Sequence, residues 1–200
     1  VVIMTEAQYV KSVAASNFRN QQRGGKGVSG AKLKSEDVVK HVIFTTAHAY
    51  LLFFSNRGRV YRLRAHDLPE RERAAKGVPI VNLLPLQIGE TIEAIIDTRS
   101  FDAERFLFFA TKNGQVKKTA LDAFSNPTAR GIIAMGVPDD DVLIAAQLVS
   151  GKETIFIGTH DGLCIRFPHE DVREMGRQAY GVIGIRLEEG DYVVSMISAE

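Results

Sequence analysis

Two hundred residues with 45% hydrophobic content can bury a sizeable core, and the composition fits neither a disordered nor a fibrous chain. The one cysteine, Cys164, excludes an internal disulfide and fits a reducing compartment, and no apolar run approaches the roughly 20 residues of a membrane-spanning helix. The net charge of +1 conceals a split: residues 1–136 hold 20 Lys and Arg against 12 Asp and Glu (+8), and residues 137–200 hold 5 against 12 (−7). Such segregation points to a polyanionic partner for the basic part.

The chain opens on Val1-Val2-Ile3 and reads as a segment of something longer. Its first unit has a hairpin that turns at Gln8 and continues through Val10 to Phe18, Gly27 and Leu33. A further strand is expected over Val38–Thr45. The second unit repeats this register at Gly58, Val60, Leu68, Gly77 and Leu83. The third does so at Gly114, Val116, Phe124, Gly131 and Val137, and the fourth at Gly162, Cys164, Val172, Gly181 and Leu187. The approximate repeats are 1–49, 50–104, 105–152 and 153–200, a period of about 50 residues that marks propeller or array architectures. Because Cys164 aligns with three valines, it is expected to pack in the core.

Within each unit, apolar runs such as Phe106–Thr111 enter Lys112-Asn113-Gly114 and leave through Gln115–Thr119. Asn-Gly and the Asp161-Gly162 pair suggest type I′ hairpin turns, whereas Gln8 suggests a different or looser turn. Third strands are expected at Val78–Leu84, Ile132–Val137 and Val182–Leu187. Fourth strands are expected at Thr91–Asp97, Val142–Leu148 and Tyr192–Ile197, with a short helix or loop around Asp67–Ala75. Four short strands per unit and almost no helical period predict an all-β, propeller-like stack of four-stranded blades in one domain. Large residues such as Phe53, Phe54, Phe108, Phe109 and Phe156 must pack between blades.

The first unit carries the most distinctive motif, Gln21-Gln22-Arg23-Gly24-Gly25-Lys26-Gly27, in the loop between its second and third strands. The glycines let the backbone approach a ligand closely, and Arg23 and Lys26 bracket the glycine pair. Lys11, Arg19, Lys32 and Lys34 are near in sequence, so the loop suits phosphate contact; an ordinary solvated glycine-rich turn is the competing reading. It is not a nucleotide-binding P-loop, because Gly27 follows Lys26 where Ser or Thr is needed and strands flank it. The five histidines show no ligand spacing, and no nucleophile with a base and an orienting acid can be assembled.

At this loop, and along its whole length, the chain resembles the C-terminal DNA-wrapping domain of DNA gyrase A. That family has a seven-residue box matched here at Gln21, Arg23, Gly24, Gly25, Lys26 and Gly27, with a departure at Gln22 where the family has a cation. Ser55–Tyr61, Lys76–Leu86, Asn113–Thr119 and Gly181–Leu187 also look like that domain's blades. The resemblance implies a six-bladed β-pinwheel, about four blades of which are present here. It also implies DNA bent around a basic outer rim in a positive wrap, so that the holoenzyme introduces negative supercoils using ATP.

The DNA-binding residues it suggests are the box (Gln21, Gln22, Arg23, Gly24, Gly25, Lys26, Gly27), Lys11, Arg19, Arg57, Arg59, Arg62, Arg64, Lys76, Lys112, Lys117, Lys118 and Arg130. No catalytic residue, cofactor or metal is expected in this segment, and ATP and Mg belong to other domains of the holoenzyme. Expected partners are duplex DNA, the rest of gyrase A, and gyrase B in an A2B2 assembly, with no membrane. The expected location is the bacterial cytoplasm, at the nucleoid. The competing functions are the topoisomerase IV counterpart, which selects DNA crossings, and a propeller serving as a protein-interaction platform. A steep salt dependence of binding would distinguish DNA from a protein partner.

Overall fold

The computed structural model describes residues 1–18 and 37–200. The box, Arg19, Lys32 and Lys34 lie outside the described residues. Those described form fifteen short strands, with a few single 3-10 turns and no α-helix among them. The strands make four antiparallel sheets. The first orders β3 (Val39–Ile43), β1 (Val2–Thr5), β2 (Tyr9–Ser12) and β6 (Val78–Pro79). The second orders β10 (Ile132–Ile133), β5 (Arg59–Arg64), β4 (Tyr50–Ser55) and β7 (Ile92–Thr98). The third orders β11 (Leu143–Val149), β8 (Phe106–Thr111), β9 (Gln115–Ala120) and β14 (Val182–Ile183). The fourth has three strands, β13 (Cys164–Pro168), β12 (Thr154–Thr159) and β15 (Val193–Ala199).

The blades are therefore not built from one repeat each, as the sequence period suggests. The third strand of every later repeat crosses to the blade before it: Val78 pairs with Val10, Ile132 with Val60 and Val182 with Val116. The repeat glycines explain why. A Cβ on Gly77 would stand 2.6 Å from the Val10 carbonyl oxygen, one on Gly131 3.0 Å from that of Val60, and one on Gly181 closer still to that of Val116. Glycine is required because the donor strand enters against the backbone of the acceptor strand. The repeated valine and the repeated glycine are two sides of one joint.

Strand alternation sends neighbouring residues to opposite blade faces. Leu51 and Phe53 join Val2, Met4 and Val10 in a core between blades one and two, whereas Leu52 and Phe54 join Leu107, Phe109 and Phe124 between blades two and three. Phe108, Ala110 and Val116 meet Ile155, Ile157 and Met196 between blades three and four. The middle blades are covered on both faces, which is why their strands read as continuous apolar runs rather than alternating ones.

Three inter-blade cores serve four blades, and no cluster among the described residues joins blade four to blade one. Val1, Ile3 and Val13 form a separate small cluster with Phe18 on the outer side of blade one. Phe44 and Val42 of blade one and Val194 and Ile197 of blade four remain exposed. The blades are arranged as a propeller, with the inner strands β3, β7, β11 and β15 lining one common cavity. These strands follow in order, β7 packing on β11 and β11 on β15, and a Lys40–Glu93 ion pair of 2.7 Å ties β3 to β7.

Three local expectations change. The hairpin turns are not type I′, because Gly58, Gly114 and Gly162 have positive φ while Asn113 and Asp161 do not; a three-residue loop ending in one left-handed residue fits instead. Gln8 adopts that same conformation, with φ 68°, and makes the same turn bond, its N–H donating to Thr5 O at 3.0 Å. Its side-chain amide meets both the N–H and the C=O of Ile92 in the next blade (2.7 and 3.2 Å), which offsets the strain of a non-glycine residue there. Cys164 is exposed, whereas Val10, Val60 and Val116 are fully buried. The difference is coverage: Val78, Ile132 and Val182 pair over the three valines, whereas among the described residues no strand pairs with the outer side of β13.

Candidate nucleic-acid interface

Between its second strand and its donor strand, each later repeat sends a strap along the outer edge of the preceding blade. Residues 69–76 follow β2: Ser12 N–H donates to Pro69 O at 3.1 Å and Arg71 N–H to Ser12 O at 2.9 Å. Residues 173–180 follow β9, where Met175 N–H donates to Lys118 O at 2.8 Å. Residues 125–130 are clasped by β5, Arg62 donating to Ser125 O at 2.6 Å and Arg59 to Arg130 O at 2.8 Å. In sequence, the box aligns with the strap stretch of the later repeats. The candidate interface is thus a rim of straps over the second strands of the blades.

Three sequence-derived candidates do not belong to that surface. Lys11, Lys117 and Lys118 are only 2%, 0% and 7% exposed. Lys11 Nζ donates to the carbonyls of Glu72, Arg73 and Ala75 (3.3, 2.7 and 2.7 Å). Lys117 Nζ donates to those of Ala134, Gly176 and Arg177. Both are staples that hold a strap to the blade beneath it, and Tyr61 takes the equivalent position in blade two, donating to Glu90 at 2.6 Å. Lys118 Nζ lies against His169 and donates to its carbonyl at 3.2 Å. Burial pushes the Lys117 ammonium down to about 7, with the Arg177 charge adding to it. Burial also lowers Lys11 and Lys118, with Glu170 and Glu174 acting in the opposite direction on Lys118. Sequence reading missed these roles because lysine is ordinarily a surface residue.

The remaining described candidates stay at the surface. Arg57, Lys76, Lys112 and Arg130 are exposed, and Arg59, Arg62 and Arg64 are half-exposed. Their partners are carbonyls, amides and aromatic faces. Arg57 reaches Gln87 and the Ile88 carbonyl, and Arg64 reaches the His48 carbonyl and the Tyr50 hydroxyl. Arg62 and Arg64 lie 4.7 and 3.8 Å from the Tyr50 ring centre, Lys76 lies 4.6 Å from that of Tyr9, and Lys112 4.9 Å from that of Tyr192. Among the described residues, the ion pairs of Lys or Arg with a carboxylate are Lys40–Glu93 and Arg105–Asp102. The rim cations are therefore oriented by neutral groups, and their charge is left uncompensated for an anion. Arg71 and Arg73 on the first strap join this set.

His160, Asp161 and Asp191 approach one another closely enough to suggest a metal. Their arrangement has a structural explanation. Asp191 Oδ1 accepts the N–H groups of Asp161 and Tyr192, as Asp141 does for Asn113 and Val142 and Asp37 for Ala7 and Val38. This turn clasp recurs without histidine in blades one and three. No helix among the described residues is long and apolar enough to cross a membrane.

Comparison with known proteins agrees with this geometry. A family model described as "DNA gyrase C-terminal domain, beta-propeller" matches residues 1–46, 49–94, 105–150 and 153–200. The DNA gyrase A protein of Haloquadratum walsbyi is 41% identical over 204 residues, taking in 100% of this chain and 24% of that protein. Its Staphylococcus aureus counterpart is 43% identical over 197 residues, covering 98% and 22%. The chain thus spans about a quarter of the length of these relatives. Among solved structures, the C-terminal domain of DNA topoisomerase IV superposes with a TM-score of 0.81 at 28% identity, covering all of this chain and 60% of that one. The DNA gyrase A C-terminal domain superposes at 0.78 and 26%, covering 98% and 64%.

Proposed function

Because the chain belongs to the family of DNA gyrase C-terminal β-propeller domains, we propose that its strap-covered rim binds duplex DNA and bends it around blades one to three. The observation that carries this reading is the rim's chemistry. Arg57, Arg59, Arg62, Arg64, Lys76, Lys112 and Arg130 are held by carbonyls and aromatic rings rather than by carboxylates. Phosphates attract such cations, release counterions and receive no base-specific contact, which suits wrapping without sequence selection. The box residues 21–27 add further cations and glycines in the sequence of repeat one. Blade four presents Asp161, Glu170 and Asp171 instead, so the duplex leaves the surface there. In the longer protein, the segment serves the rest of gyrase A, together with gyrase B, in an A2B2 enzyme. ATP and Mg act through other domains, in the bacterial cytoplasm.

The direct test is the topology of a nicked plasmid religated with the chain bound. A positive wrap leaves a shift toward positive linking difference, and duplex binding weakens steeply between two salt concentrations. The double change Arg23→Ala, Lys26→Ala should abolish the topological shift and leave the melting transition in place. Unchanged topology with retained DNA binding would favour the second reading, a crossing-selective module, which the superposition on the topoisomerase IV domain supports. Binding insensitive to salt would overturn the DNA interface itself.

A further inference from the structure

Each joint glycine fixes the residue before it. Gly77, Gly131 and Gly181 are held against a backbone carbonyl of the acceptor strand, so the preceding residue falls at one equivalent place on the outer edge of blades one, two and three, where each strap ends. Those residues are Lys76, Arg130 and Tyr180, all exposed. Blades one and two thus present a cation there, and blade three presents an aromatic ring that is 60% exposed. The change falls where Lys117 and Lys118, beneath the same strap, are buried and turned toward carbonyls. On this strap Arg177 is the cation near Tyr180, and it donates to Ile133 O at 3.1 Å.

The Tyr180 ring is held in position from below. It lies on Gly136, where a Cβ would stand 2.8 to 2.9 Å from three of its carbons, and the Gly136 N–H donates to Ala179 O at 3.0 Å. The strap leading to it is tied as well. Ala179 N–H donates to Gly176 O at 3.2 Å and Met175 N–H to Lys118 O at 2.8 Å, while Lys117 Nζ donates to the Gly176 and Arg177 carbonyls. A ring placed this firmly, with its outer side open, loses little freedom when a partner covers it. We infer that Tyr180 is a DNA-contact residue of blade three, its hydroxyl donating to a phosphate oxygen and its ring covering the adjoining deoxyribose. It stands where Lys76 and Arg130 stand on blades one and two, but it carries no charge. Its contact therefore adds affinity without releasing a counterion. The inference rests on the DNA interface proposed above.

The test measures duplex affinity at several salt concentrations, and the thermal midpoint, for the parent chain and four variants. Tyr180→Phe keeps the packing on Gly136, so its midpoint should match the parent's. Its affinity should fall on the order of fivefold at every salt concentration, leaving the salt slope unchanged. Tyr180→Ala should lose more affinity, again with the parent's slope, whereas Lys76→Ala should flatten the slope by about one unit. Gly136 lies outside the left-handed region, so the methyl group of Gly136→Ala displaces the ring without straining the backbone. That variant should lose affinity as Tyr180→Phe does, although the tyrosine is still present. Parent affinity in Tyr180→Phe would overturn the inference, and so would a loss accompanied by a flatter slope. A parent chain whose duplex binding is insensitive to salt would instead overturn the DNA interface, and the role of Tyr180 with it.

Discussion

Lys117 shows how a basic residue can serve the fold rather than a ligand. Its ammonium holds three carbonyls from two segments, and burial pushes it down to about 7. In the unfolded chain a lysine titrates near 10.4, so between those values the unfolded state binds more protons and stability rises with pH. Lys117→Met keeps the volume and removes the titration. We expect it to be less stable than the parent, by about 2 kcal/mol at pH 7, because the three carbonyls lose their partner. The gap should widen by on the order of 1–2 kcal/mol toward pH 9. Urea unfolding of both proteins at the two pH values checks this; a gap that narrows with rising pH would refute the sign. The salt slope of DNA binding should be the same in the folded variant, in contrast to variants of Lys76 or Arg130.

At the scale of strands and turns, the turn glycines offer a matched pair. Gly114 and Gly162 have nearly the same φ, 92° and 91°, so alanine meets the same backbone strain at both, about 1 kcal/mol. Only Gly114 has the incoming chain above it. Gly114→Ala should therefore lower the thermal midpoint by several degrees more than Gly162→Ala, corresponding to about 2 kcal/mol or more of additional loss. Equal effects would mean that the donor strand contributes nothing to the joint. The same residues show what was legible in the sequence. The positions of the first, second and fourth strands and of the turns could be read because alternation and turn glycines are local signals, whereas the third strands are only two residues long, Val78–Pro79, Ile132–Ile133 and Val182–Ile183. Strand exchange could not, since a period locates the third strand without saying which blade accepts it, and Val116 looks the same whether Gly181 or its own repeat covers it. Of the candidate residues, the surface position of the arginines was legible. Lys11, Lys117 and Lys118 were misread because their carbonyl partners lie about 17 to 64 residues away in sequence and leave no local trace.

Across the whole molecule, the large buried cores among the described residues each join a blade to the next one in sequence, as in a one-dimensional stack. Among the described residues, blades two and three are packed on both faces, whereas blades one and four share an inter-blade core on one face. Local opening should therefore begin at the ends, with amides of β3 and β15 exchanging at lower free energy than those of β4 and β8. The middle core holds the stack together through Phe54, Phe109 and Phe124, whose ring centres are 5.3 to 6.3 Å apart. Phe109→Ala should remove about 3–5 kcal/mol there and split unfolding into two transitions, one for each half. Ile157→Ala in the third core should release blade four alone. This bears on the proposed function because bending a short duplex by 40–90° costs on the order of 1–6 kcal/mol, and the propeller would have to hold its curvature against that load. Phe109→Leu, a milder change at a fully buried residue, should keep DNA affinity and salt slope while reducing the topological shift of a religated plasmid. A shift equal to the parent's, in a protein whose middle core is measurably weakened, would show that the curvature of the DNA is set by the rim charges alone.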